Sequence, residues 1–266
     1  MILDRFRFKS MPFTREVRIG ERYKVDFHER EIAALRHAVE GRGSTALIGP
    51  AGSGKSVVLR ALRDILPEAR YRTHYIKVTD LSTRDLCREI SVAVGAAPAS
   101  SYPYLVRSIQ EKFAATMDGE GMRPVVFLDD AHEMRPWVIG VLRILTNFDM
   151  DSRLVVSIIL AGQPPLKDLV TSAIAEDVRQ RLVHCGELRL FSREETQGYL
   201  EHRVTIAGAP VFPFDRGACE AIFEMTRGNM RAIDQLAAKA MEKADEAGRD
   251  TVGAGDVMTA RGAVWI

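Results

Sequence analysis

"GPAGSGKS", residues 49–56, decides how the rest of the chain is read. It fits the spacing G-x-x-x-x-G-K-[ST]. On one side stands "STALIGP" (44–50), a short buried-strand candidate that runs into the motif. On the other stands "KSVVLRALRDILP" (55–67), apolar at helical spacing until Pro67 stops it. Strand, glycine-rich turn and helix are the context this spacing needs. The glycines let successive backbone N–H groups turn inward around phosphate oxygens, and the helix N-terminus adds a favourable field. Gly49, Pro50, Ala51, Gly52, Ser53, Gly54, Lys55, Ser56 and Val57 are the expected nucleotide-binding set. Lys55 is expected between the β- and γ-phosphates, and the Ser56 hydroxyl on a magnesium ion.

"PVVFLDDAHEM" (124–134) supplies the complement: an apolar strand delivering two aspartates, Asp129 and Asp130. A carboxylate at the tip of a neighbouring strand can hold the magnesium of a bound ATP, often through water. Asp129 is expected in that role. Asp130 follows where a residue can polarise the attacking water. His132 and Glu133 lack a second histidine at metal-binding spacing and carry no metal-site expectation.

The segments around these two motifs set the architecture. Strands are expected at 71–78 and 154–162 and a last one at 183–190. Helices are expected from "HEREIAALRHAVEG" (28–41) and at 83–96, 104–117 and 137–147, with Trp137 packed. Helices alternating with buried strands predict an α/β fold with a parallel sheet. After Phe191 only helical patterns follow, at 192–208, 215–228, 229–248 and 253–263. The first opens on the capping box Ser192–Glu195. The expected organisation is a basic arm and entry helix (1–43), an α/β nucleotide-binding domain (44–191) and a small all-α lid domain (192–266). The arm carries Arg5, Arg7, Lys9, Arg15, Arg18, Arg22 and Lys24.

A formal net charge of +1 gives no whole-protein field for a polyanion, so any nucleic-acid surface has to be a local patch. Cys87, Cys185 and Cys219 are far apart without CxxC spacing. They are expected as buried small hydrophobes in a reducing compartment. Charges interrupt "MILDRFRFKS" too early for a secretory leader, and "LVVSIILAG" is too short to cross a bilayer. The expectation is a soluble cytoplasmic protein with no membrane partner.

Beyond the two motifs, "FRFKSMPFTREV", "LRILTNFD", "IILAGQPPL", "VRQRL" and "RGNMRAIDQL" occur in an order that resembles one family along nearly the whole chain. That family is the AAA+ ATPases. Within it the chain is similar to the clade of the ExeA-type secretion ATPase and of transposition ATPases such as TniB and TnsC. The resemblance implies a P-loop core with a helical lid, ATP and Mg²⁺ as ligands, and a homo-oligomer, ring or filament. It assigns Gln163, ending the strand beside the Asp129 strand, as a γ-phosphate reader, with Asn147 as the other candidate. It implies that Arg181, or else Arg179, reaches the nucleotide of a neighbouring subunit, and that Arg231 reaches back from the lid. The family's usual Asp-Glu pair is Asp-Asp here, which implies slow hydrolysis.

The resemblance further implies duplex DNA as a largely sequence-independent partner, and the transposase or integrase of the same element. Lys77, Thr79, Thr83 and Arg84 after the second strand, with Ser100 and Ser101 in the next connection, have the chemistry of phosphate contacts. Lys9, Arg15 and Arg18 are alternative contacts to a partner subunit. The expected function is an ATP-gated regulator of DNA transposition. The alternative is the ATPase module of an ExeA-like secretion system. Such chains continue into a membrane span and an outer domain, whereas this sequence ends after its helical segment.

Overall fold

The computed structural model describes residues 2–14 and 16–263; Arg15 of the basic arm lies outside the described residues. The chain forms two compact units, one of residues 26–50 and 55–188 and the other of residues 1–25, 51–54 and 189–266.

The first unit holds the strands β1 (Ser44–Ile48), β2 (Tyr71–Lys77), β3 (Arg123–Asp129), β4 (Ser157–Gly162) and β5 (Leu182–Glu187). All pairings are parallel, in the order β2-β3-β4-β1-β5. The pattern of burial follows from that order. β1 and β4 are buried throughout and β3 is buried from Pro124 on, because helices cover both faces of central strands. The edge strands are more exposed: β2 is buried only at Tyr71 and Ile76, and β5 only at Gly186. Cys185, expected to be buried, is exposed because β5 is an edge; Cys87 and Cys219 are buried.

In chain order the helices are α1 (Ile2–Arg5), α2 (Asp26–Glu40), α3 (Lys55–Ile65), α4 (Thr83–Val94), α5 (Tyr102–Asp118), α6 (Gly140–Thr146), α7 (Pro165–Thr171), α8 (Glu176–Arg179), α9 (Arg193–Ile206), α10 (Arg216–Thr226), α11 (Met230–Glu246) and α12 (Ala254–Arg261). The expected helix 137–147 is shorter: α6 starts only at Gly140. Val138 and Ile139 take the buried positions, and the preceding turn carries Trp137 outward to 63% exposure, so Trp137 is not packed as expected. The Arg135 guanidinium lies 5.8 Å from its ring centroid.

The second unit gathers α1 and α9 to α12 with the N-terminal segment. The capping box of α9 forms as expected: the Ser192 hydroxyl accepts from the Glu195 N–H, and the Glu195 carboxylate accepts from the Ser192 N–H. The expected 1–43 segment divides at Val25: residues 1–25 fall in this unit and α2 in the sheet unit. Phe6, Phe8 and Phe13 are buried, and Phe13 meets Phe214 edge to face at 5.8 Å. Lys9 and Ser10 donate backbone N–H bonds to the Ala207 carbonyl, and Arg5 pairs with Asp245. Among the described residues the basic arm is a packed element of the helical unit.

Candidate nucleotide-binding site

In a parallel sheet the loops that follow the strands share one edge. Gly49 follows β1, Asp129 ends β3 and Gln163 follows β4, so the order β3-β4-β1 lines these three up on adjacent strand tips. The Gly49 N–H donates to the Gly162 carbonyl (3.1 Å), which ties two of the tips together. Lys55, only 9% exposed at the start of α3, donates from Nζ to the carbonyls of Gly49 (2.7 Å) and Pro50 (2.9 Å). Its ammonium is thereby held inside its own loop. Ser56 is exposed and Val57 half-buried beside it.

Gly52 has φ +76°, a left-handed conformation that side chains rarely adopt. It lies in the helical unit, where its carbonyl accepts the Met230 N–H (3.0 Å). Asn229 caps α11: its Oδ1 accepts from the N–H groups of Arg231 (3.1 Å) and Ala232 (3.2 Å). The same side chain donates from Nδ2 to the Ala51 carbonyl (3.0 Å). Gly228, at φ +79°, allows the close turn before it, since a Cβ there would stand 2.0 Å from the Phe191 carbonyl oxygen. Arg231 is exposed in the first turn of α11. The Asn229 bond escaped sequence reading. Its only signal was a polar residue in "GNMR", which a plain helix cap explains equally well.

Asp129 is 6% exposed. Its carboxylate accepts from the Tyr75 hydroxyl (3.0 Å) and the Asp130 N–H (2.9 Å), and among the described residues no cation pairs with it. Burial first, and then the Asp129 charge, push the Tyr75 phenol up to about 12, so it stays a proton donor at neutral pH. An uncompensated buried carboxylate is costly unless a cation meets it. That fits a magnesium ion held by one protein carboxylate and a hydroxyl, the other ligands being phosphate and water. No group of three or more His, Cys, Asp or Glu suited to a metal occurs among the described residues.

Asp130 adopts φ +54°, ψ 32°, left-handed, which aspartate tolerates better than most residues. Its Oδ2 lies 3.3 Å from Lys77 Nζ, and the pair is part-exposed. Gln163 and His132 meet, Nε2 to Nε2, at 2.9 Å.

The other candidates sit elsewhere. Arg181 precedes β5 and Asn147 precedes β4, so both lie at the edge opposite the Gly49 loop, a strand length or roughly 15 Å away. Geometry thereby separates Gln163 from Asn147 as neighbours of the loop. Arg181 pairs with Asp151 (2.5 Å) and donates to the Asp177 carbonyl (2.9 Å). It lines a cavity of about 570 Å³ with Arg143, Asn147 and Asp177. Arg179 is exposed and pairs with Glu176 one turn before it. Of the expected DNA-facing groups, Thr79 is exposed, Thr83 and Ser101 are half-buried at helix starts, and Arg84 bonds the Ser100 carbonyl. Lys77 is exposed and lies 3.3 Å from Asp130.

A family profile described as "AAA domain" matches residues 36–170, just over half of the chain. The general secretion pathway protein A of Aeromonas hydrophila is 26% identical over 260 residues, covering 96% of this chain and 47% of that protein. The chain thus spans about half the length of the curated relative it matches. The crystal structure of Cdc6p from Pyrobaculum aerophilum superposes with a TM-score of 0.75 at 16% identity, covering 96% of this chain and 70% of the other. The Aeropyrum pernix ORC1 protein, solved in complex with DNA, superposes with a TM-score of 0.71 at 14% identity, covering 96% and 69%. At such identities the structural likeness speaks for the fold alone. No helix among the described residues is long and apolar enough to cross a membrane.

Proposed function

The chain belongs to the AAA domain family, and from that premise we propose an ATP-gated AAA+ switch that assembles when ATP binds and turns over slowly. The observation that carries this reading is the buried Asp129 carboxylate, which no cation pairs with among the described residues, on the same sheet edge as the Gly49–Ser56 loop. In this reading the loop N–H groups and Lys55 hold the β- and γ-phosphates, while Ser56 and Asp129 hold Mg²⁺. Magnesium supplies neutralisation of the phosphate charge. Asp130 orients the attacking water, Gln163 reads the γ-phosphate, and Arg231 is a further contact to that phosphate. Arg181, on the opposite sheet edge, serves the nucleotide of a neighbouring subunit, as a finger in trans must. Aspartate at 130 is one methylene shorter than glutamate, and a misplacement of about 1 Å can cost on the order of 10²-fold in rate.

For what the switch acts on, the alignment along 96% of the chain favours an ATPase module like that of a general secretion pathway protein A. A second reading, a regulator of transposition that binds duplex DNA, is favoured by the exposed Thr79 and by the contact of Arg84 with Ser100, which joins two expected phosphate-contact segments. Particle mass with and without a non-hydrolysable ATP analogue tests the switch. Wild type should grow in mass and Lys55→Ala should not; equal behaviour of the two removes the gating. A gel shift on random-sequence duplex DNA under the same conditions separates the two readings, since only the second expects an analogue-dependent shift.

A further inference from the structure

The amide of Asn229 is used on both sides, and only one side is explained by capping. Oδ1 satisfies two N–H groups of α11, whereas Nδ2 donates to the carbonyl of Ala51, 178 positions away in sequence. The adjacent Met230 N–H donates to the Gly52 carbonyl. Two successive peptides of the phosphate loop are therefore held by their carbonyl oxygens. A peptide whose carbonyl is fixed outward has its N–H fixed as well, because the peptide unit is planar. The N–H groups that follow those carbonyls belong to Gly52 and Ser53, members of the expected phosphate cradle. The fit is close: a Cβ on Gly52 would stand 1.9 Å from Asn229 Oδ1.

We propose that Asn229 is a positioning residue for the phosphate loop: its side-chain donor orients the Ala51–Gly52 peptide so that the loop N–H groups are set for a nucleotide's phosphates. The proposal rests on reading Gly49–Ser56 as a nucleotide-phosphate loop. It separates two jobs that a single asparagine performs, since the cap needs an acceptor and the loop needs a donor. Threonine and serine keep a capping acceptor but are too short to donate to Ala51 as well. Aspartate keeps the cap, lacks the donor, and sets a negative oxygen against the Ala51 carbonyl.

The test compares wild type with Asn229→Thr, Asn229→Ser and Asn229→Asp by two readouts on the full chain. One is thermal melting without nucleotide; the other is the affinity for a fluorescent ATP and a fluorescent ADP. Near-wild-type melting is expected throughout. Affinity should fall about 3- to 10-fold in the Thr and Ser variants, the worth of one hydrogen bond, and further in the Asp variant. Deuterium exchange of the 49–56 amides should rise in the same order. In Gly52→Ala the loss should be non-additive with Asn229→Ala, since the second substitution removes the atoms the new methyl meets. Wild-type affinity in the Thr and Ser variants overturns the proposal. So does an affinity loss that only tracks a loss of melting temperature, which would leave Asn229 a cap and nothing more. Absence of nucleotide binding by the wild type refutes the underlying reading of the loop instead.

Discussion

Carboxylates with little exposure are treated oppositely in the two units. In the helical unit Asp234 accepts from the Arg203 guanidinium (2.9 Å) and from the Tyr199 hydroxyl (2.9 Å), and Arg203 also donates to the Thr14 carbonyl. Asp256, 3% exposed, pairs with Arg249 and accepts the Gly253 N–H. These charges are closed by opposite charges from the same unit. In the sheet unit Asp129 is 6% exposed, yet among the described residues it accepts only from a phenol and one backbone N–H. A closed network fixes a fold, whereas an open buried charge awaits a cation from outside. In the proposed reading the carboxylate without such a closure is the one that meets the magnesium.

The largest effect should come from breaking the closed side. Asp234→Ala leaves the Arg203 guanidinium, 5% exposed, without its counter-charge. A broken buried pair costs about 3–5 kcal/mol, read as the shift in a urea unfolding curve. Burial keeps the Tyr199 phenol protonated, which makes it a poor substitute for the missing charge. A loss under 1 kcal/mol would show that the network is not what holds residues 1–25 to α9.

Asp129→Asn should do the reverse. It removes an uncompensated charge, so stability without nucleotide should hold or rise, while magnesium-dependent nucleotide affinity falls by about 10- to 100-fold. Affinity measured with and without EDTA isolates the magnesium-dependent part. If Asp129→Asn destabilises the fold as Asp234→Ala does, the two carboxylates are alike and the contrast fails.

Much of the core was legible in the sequence because β1, β3 and β4 are short, largely apolar runs, β1 leading into the glycine-rich turn and β3 into the two aspartates. Local chemistry sufficed for the P-loop spacing and the Ser192–Glu195 box. The order β2-β3-β4-β1-β5 was not legible from patterning, since each strand reads alike whichever neighbour it has. Nor was the packing of the arm: Arg5, Lys9 and Thr14 find partners at Asp245, Ala207 and Arg203, some two hundred positions away. The outward Trp137 is hidden for a similar reason: apolar spacing in 137–147 fits a helix, and only the later start at Gly140 turns the indole outward. The bonding of Asp129 was equally hidden: sequence names the carboxylate but not that Lys77, across from it on β2, pairs with Asp130 instead.

The smallest effect sharpens the contrast at the boundary between open and closed, at Asp130. This carboxylate is part-exposed and pairs loosely with Lys77, itself 64% exposed. Such a pair is worth ~1 kcal/mol or less, so it can be given up cheaply when the carboxylate turns toward a water. Its backbone is left-handed, a conformation in which aspartate is several-fold enriched and glutamate is not. Asp130→Glu should therefore cost about 1 kcal/mol of stability. It should nevertheless raise turnover, on the order of 10-fold, because the longer side chain recovers most of the missing 1 Å. Asp130→Asn should bind nucleotide as wild type does and release almost no phosphate. Lys77→Ala should leave stability unchanged and alter turnover only a few-fold. Phosphate release at saturating ATP and magnesium checks all three. If Asp130→Asn hydrolyses normally, Asp130 orients no water. The pair with Lys77 is then a closed charge like those of the helical unit, and of the two β3-tip aspartates only Asp129 lacks a cation among the described residues.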